Sequence, residues 1–141
     1  MPPVQHAGSG ATGRRLLQYS AQSNVKRCYL ELGGKSPNVV FADAPDLSAA
    51  AKASANAIFR NAGQVCVAGS RLLVEASVHD AFVAELATAT QKMAVGNPLK
   101  LETQVGAVNS LTQLEGNLGF VADAMREGGE IVTGGTRALE E

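Results

Sequence analysis

The stretch from residue 37 to residue 60 constrains the fold more than any other. Asn38-Val39-Val40-Phe41-Ala42 is a short apolar run with β-branched residues, the pattern of a buried strand. Asp43-Ala44-Pro45-Asp46 stops it, and Asp46 is placed to cap the alanine-rich stretch 47–60 as a helix. There Ala50, Ala53, Ala57 and Ile58 form a thin face of small residues, suited to close packing. A buried strand that turns directly into a helix belongs in a layered fold with helix against sheet.

The rest of the chain repeats that alternation. Residues 14–22 read as a short helix with Leu16, Leu17 and Tyr19 on its apolar side. Residues 26–32 favour a strand, because Cys28, Leu30 and Leu32 alternate, and Gly33-Gly34 turns it. Residues 71–75 are a further strand. Ser77 is read as the cap of a helix over 78–93, with Val78, Phe82, Leu86 and Ala89 on one face. Another helix is expected over 111–126, stopped by Gly128-Gly129, and a last short strand at Ile131-Val132. The class is therefore α/β. A chain of 141 residues has room for one such domain or for pieces of two. Hydrophobic residues make up 45%, which argues against disorder. Aromatics are only 4% and Trp is absent, so the core must rest on Ala, Val and Leu.

Charge and targeting patterns exclude several function classes. The formal net charge is −1, so the overall balance calls for neither a nucleic-acid nor a membrane partner. The basic groups Arg14, Arg15, Lys26 and Arg27 precede the first acid, Glu31, and residues 102–141 carry an acidic excess. Both stretches are interleaved with apolar residues, so they read as parts of a larger surface rather than as charged arms. No apolar run is long enough to span a membrane, and the start lacks the pattern of a signal peptide. Cys28 and Cys66 are too few for a disulfide scaffold or a cysteine zinc site. No metal is expected, and a reducing cytoplasm is the default compartment.

Gly8-Ser9-Gly10-Ala11-Thr12-Gly13 matches the dinucleotide fingerprint G-x-G-x-x-G, and Glu31 follows at about the distance of that fold's ribose-binding acid. The fingerprint also requires a preceding strand, and Pro2-Pro3-Val4-Gln5-His6-Ala7 reads as a poor one. A P-loop is rejected, because Arg14-Arg15 stands where Lys-[Ser/Thr] is needed. What remains is a glycine-rich turn that opens a helix, either a phosphate site or an ordinary turn.

Cys66 lies on a glycine-bounded connection, Gly63-Gln64-Val65-Cys66-Val67-Ala68-Gly69, where catalytic groups concentrate. Cys28 sits on an alternating strand and reads as a small hydrophobe. A nucleophilic thiol must be partly ionised, and its usual activator is histidine. Only His6 and His79 are available, and His79 falls in the first turn of a helix and is expected to face solvent, so a Cys-His hydrolase has little support. Glu31, an acid among apolar residues beside Gly33-Gly34, is paired, exposed or kept for acid–base work.

Glu31-Leu32-Gly33-Gly34-Lys35-Ser36-Pro37-Asn38 resembles the glutamate motif of the aldehyde dehydrogenases. Asn61-Ala62-Gly63-Gln64-Val65-Cys66, followed by Ala68-Gly69-Ser70-Arg71, resembles their cysteine motif, at the family's separation. Gly8-Ser9 and Gly13 are similar to the loop that approaches the cofactor pyrophosphate, and the likeness runs over nearly the whole chain. The wording around Phe41-Ala42-Asp43 and Cys66 is similar to the branch acting on amino-aldehydes such as γ-glutamyl-aminobutyraldehyde. The resemblance implies that Cys66 attacks an aldehyde, that hydride passes to NAD or NADP, and that Glu31 activates the water that hydrolyses the thioester. It implies that Gly8, Ser9 and Gly13 border the cofactor phosphates and Leu32 and Gly33 the nicotinamide end, with Val65 and Val67 shaping the substrate tunnel.

It further implies a partial aldehyde dehydrogenase fold. Residues 1–33 would be the end of the cofactor-binding domain and 34–141 the start of the catalytic domain. A second oxyanion donor would lie upstream, a second glutamate downstream, and the parent enzyme would be a homo-oligomer. The expected activity of the isolated chain is nil. The competing expectations are a non-catalytic structural remnant and a stand-alone phosphate-binding module. His6-Ala7 departs from the aromatic and small polar residues usual there.

Overall fold

A computed structural model describes residues 2–138. Two β-α-β units follow one another. In the first, β1 (Val4–Gly8) pairs in parallel with β2 (Cys28–Leu32), and α1 (Gly10–Gln22) makes the crossover. In the second, β3 (Pro37–Val40) pairs in parallel with β4 (Arg71–Val74), and α2 (Leu47–Phe59) crosses between them. Two further helices complete the order, α3 (His79–Gln91) and α4 (Leu111–Arg126).

Residues 2–7 correct the sequence reading, since Val4–Gly8 is a strand. Its own propensity is poor. It forms because Cys28–Leu32 offers a ladder, Val4 facing Cys28 and Gly8 facing Leu32. Strand formation depends on such context more than helix formation does. Helix α1 correspondingly starts at Gly10 rather than Arg14. The Ser9 hydroxyl accepts from the Thr12 amide at 3.2 Å and caps it. Leu17 and Tyr19, expected on its apolar side, are exposed, and Gly13 is buried in their place. Gly13 meets the strand directly: a Cβ there would stand 2.8 Å from Leu32 Cδ1 and 3.5 Å from Leu30 Cδ1.

The second unit holds the core. Asp46 caps α2 as expected, its carboxylate accepting from the Ala49 amide at 2.9 Å. Val40, Ala51 and Phe82 are buried together, flanked by Leu47, Leu72, Val74 and Leu86. The buried face of α2 is Ala51, Ser54 and Ala55; of the expected Ala50, Ala53, Ala57 and Ile58 line, Ala50 packs against the core and Ile58 is half-buried, while Ala53 and Ala57 are exposed. Phe82 is wholly buried at 0% exposure, and in a core an aromatic-to-alanine change typically costs about 3–5 kcal/mol. Asn38 donates its side-chain amide to the buried Ser54 hydroxyl at 2.8 Å, which satisfies the one buried polar side chain of α2.

Two other expectations fail at chain ends of elements. Ser77 does not cap α3, which starts at His79 without a side-chain cap. The Ser77 hydroxyl instead donates to Glu75 Oε1 at 2.7 Å, at the start of the 3₁₀ turn Ala76–Val78. Ile131-Val132 is irregular, because no strand among the described residues lies alongside to pair with it. Helix α4 buries none of its residues, and Gly128, at φ +92°, provides the left-handed residue that ends it. No helix among the described residues is long and apolar enough to cross a membrane.

Candidate active site

The carboxyl edge of the first sheet gathers four of the predicted cofactor residues, Gly8, Ser9, Leu32 and Gly33; the fifth, Gly13, is buried inside α1 against β2 with its amide bonded to Ser9 O. Ala7 is paired with Glu31 and Gly8 with Leu32, so Gly8-Ser9 and Leu32-Gly33 leave the sheet side by side. Open α/β sheets bind ligands at this edge. Helix α1 begins there with no acid in its first turn, and the Gly10 and Ala11 amides have no intrahelical acceptor. Those amides, the helix dipole and Arg14-Arg15 fit an anion. Gly8 also has an internal reason to lack a side chain, since a Cβ there would stand 2.7 Å from His6 Nε2. His6 Nε2 is itself buried without a hydrogen-bond partner.

Glu31 is exposed, while its neighbours Leu30 and Leu32 are half-buried on the other face of β2. Two residues beyond the strand end, the backbone reaches the cysteine loop. A Cβ on Gly34 would lie 2.7 Å from the Cys66 carbonyl oxygen. The glutamate and cysteine motifs, remote in sequence, therefore meet through Gly34.

The cysteine loop is held by backbone bonds. Asn61, Ala62 and Gly63 all have positive φ, at 54°, 54° and 74°, so the chain makes a left-handed turn out of α2. The Ala68 amide donates to the Val65 carbonyl at 3.1 Å, which closes a tight turn with Cys66 inside it. The Gly69 amide donates to Ala57 O at 3.2 Å, fastening the loop to α2. The Arg71 amide donates to Ser36 O at 3.2 Å, extending the β3–β4 ladder back toward Gly34. Ala68 is buried and Cys66 is exposed. Cys28 is half-buried on β2.

Val65 and Val67 line a cleft of about 530 Å³ with Asn56, Arg60, Met93 and Gln104. Val67 is 73% exposed, a large apolar side chain standing open beside the thiol. Met93 and Gln104 carried no signal in the sequence. They arrive because the connection after α3 folds back on itself, with a parallel bridge between Val95 and Val105. His79 Nδ1 lies 2.8 Å from Asp80 Oδ1, and both side chains are exposed. This is a solvent-facing pair at the start of α3, the exposure expected for His79. No group of three or more potential metal ligands occurs among the described residues.

Fold and site together define an α/β protein that carries an exposed thiol just beyond the carboxyl edge of a parallel β-α-β unit. The aldehyde dehydrogenase family model matches residues 2–141, and the chain belongs to that family. It is 41% identical over 136 residues to the NADP/NAD-dependent aldehyde dehydrogenase PuuC of Escherichia coli, covering 96% of this chain and 28% of that protein. The aldehyde dehydrogenase KauB of Pseudomonas aeruginosa superposes with a TM-score of 0.94 at 46% identity, over 99% of this chain and 28% of that one. The γ-glutamyl-γ-aminobutyraldehyde dehydrogenase of Burkholderia cenocepacia gives a TM-score of 0.90 at 49% identity, over 96% and 27%. The architecture is thus a partial aldehyde dehydrogenase fold, and the chain spans little more than a quarter of these relatives.

Proposed function

We propose that this chain carries the nucleophile and the base of an aldehyde dehydrogenase that oxidises an aldehyde to a carboxylic acid with NAD or NADP. The observation that carries the reading is the seating of the Cys66 backbone on Gly34, just past the strand that bears Glu31. Residues 1–33 belong, on this reading, to the cofactor-binding domain and 34–141 to the catalytic domain.

Cys66 Sγ, as thiolate, attacks the aldehyde carbon; a C–S bond forms and the carbonyl electron pair moves to oxygen. The Cys66 N–H donates to that oxygen, and one such donor is worth roughly 2.7–4 kcal/mol. A nicotinamide cofactor would supply the hydride acceptor at this site, and loss of hydride from the adduct leaves the thioester on Cys66. Glu31 then takes a proton from water, the resulting hydroxide adds to the thioester carbonyl, and the C–S bond breaks to return the Cys66 thiolate. General-base help of this kind is worth about 100- to 10,000-fold. Gly8 and Ser9 would hold the cofactor phosphates at the start of α1, and Leu32 and Gly33 would border its nicotinamide end; Gly13, expected at the phosphates, is buried against Leu30 and Leu32 with its amide donating to Ser9 O, and so lets α1 approach β2 instead. Val65 and Val67, which flank Cys66 in the chain, would border the aldehyde's path. The γ-glutamyl-aminobutyraldehyde-like wording and the Burkholderia neighbour support an amino-aldehyde as substrate. The free thiols Cys28 and Cys66 suit a reducing cytoplasm, and the whole enzyme is a homo-oligomer.

The isolated chain neither binds the cofactor tightly nor turns over, because two strands are too little of a nucleotide site. The test replaces the matching stretch of the Escherichia coli relative with residues 1–141. The hybrid is expected to reduce NAD or NADP with an aldehyde, and Cys66→Ala to abolish this. A Cys66→Ala hybrid that keeps its activity overturns the reading.

A further inference from the structure

We propose that Gly34 is a positioning residue for the Cys66 thiol, a role separate from the turn that the sequence assigns to Gly33-Gly34. This rests on Cys66 being the nucleophile. The two adjacent glycines are not equivalent. A Cβ on Gly33 would meet nothing within 4 Å. A Cβ on Gly34 would stand 2.7 Å from Cys66 O, 3.8 Å from Ser36 Oγ and 3.9 Å from Cys66 C. The one close contact, Cys66 O, is a backbone atom, which cannot swing aside as a side-chain end can; the hydroxyl of Ser36 is at ordinary contact distance. Neither glycine has a left-handed φ, so alanine can adopt the backbone at both, and only the approach of the cysteine loop separates them.

The loop cannot yield freely. Its turn is closed by Ala68 N–H to Val65 O, and its exit is tied to Ala57 and Ser36 at 3.2 Å each. A methyl on Gly34 must therefore tilt the Cys66–Val67 peptide itself. That tilt moves the Cys66 Cα, and with it Sγ and the position of the Cys66 N–H. The bare Cα of Gly34 is the seat that sets the thiol's height above the end of β2.

The test compares Gly33→Ala and Gly34→Ala in the 141-residue chain, following iodoacetamide alkylation of each thiol by peptide mass spectrometry. Cys28 serves as internal reference. Gly34→Ala is expected to change the Cys66-to-Cys28 rate ratio severalfold and to shift the Cys66 and Val67 amide resonances. Gly33→Ala is expected to leave both unchanged. An unchanged ratio in Gly34→Ala, like behaviour of the two variants, or equal acceleration of both thiols overturns the proposal. If Gly34→Ala does not fold, the unsubstituted chain decides. A solid-state ¹³C–¹³C cross-peak between Gly34 Cα and the Cys66 carbonyl carbon is expected, and its absence overturns the contact. Alkylation needs neither cofactor nor aldehyde, so this test can fail while the dehydrogenase reading stands, and succeed while that reading falls.

Discussion

Glu75 follows β4, and its exposed carboxylate reaches back across the sheet end. It accepts from the Ala42 amide at 2.9 Å and from the Ser77 hydroxyl at 2.7 Å. The Ala42 amide first, and the Ser77 hydroxyl second, hold its pKa below the ordinary carboxylate value. The sign follows from linkage. A lowered folded-state pKa gives stability that is present above the unfolded pKa and lost as pH falls through the folded one. Glu75→Gln is therefore expected to lower the thermal midpoint at pH 7 and to lose that effect in acid, below about pH 4. Equal midpoint differences at both pH values contradict this. Nothing in the sequence marked Glu75. Ser77 was legible only as a cap residue, because the choice between helix amide and carboxylate depends on where the 3₁₀ turn places it. The two cysteines were better served: their burial follows their addresses, Cys28 on an alternating strand and Cys66 on a glycine-bounded loop.

Among the elements, the exit from α2 carries two consecutive non-glycine residues at left-handed φ. Asn61 and Ala62 both sit at φ 54°, a region that costs an L residue with a Cβ roughly 1–2 kcal/mol. Asn61 offsets part of this, its side-chain amide donating to Gln64 O at 3.1 Å. Ala62 has no such means. Ala62→Gly is expected to stabilise the chain by about 1 kcal/mol in a denaturant titration. Destabilisation by a similar amount would show that the alanine methyl contributes more by packing than the turn costs. The strands and helices with strong local patterns were legible at this scale: β2 by alternation, β3 by its apolar run, α2 by Asp46. Strand β1 was not, because its warrant is a partner that begins at Cys28, and no local rule sees that distance. Ile131-Val132 failed for the converse reason, a strand-like run with no partner strand among the described residues.

For the molecule as a whole, the buried apolar set of the described residues is small: Val40, Ala51, Ala55, Ala68 and Phe82. Parallel sheets are normally covered on both faces. Here Val39 and Leu73, paired across the second sheet, are 51% and 45% exposed on its outer face. Charge and composition anticipated room for a core but not how little of it closes. The glutamate and cysteine motifs were legible because chemistry fixes their residue types. Their meeting through Gly34 was not, because it depends on how two β-α-β units abut. A thiol nucleophile served by Glu31 as base gives the hybrid enzyme carrying residues 1–141 a distinctive time course. Base-assisted hydrolysis follows hydride transfer, so Glu31→Gln must leave the first turnover intact and slow every later one. Rapid mixing with aldehyde and cofactor is expected to show a burst of about one reduced cofactor per site, then a steady rate about 100- to 10,000-fold below that of the unsubstituted hybrid. A Glu31→Gln hybrid with an unslowed steady rate, or with no burst ahead of a slow one, would contradict it.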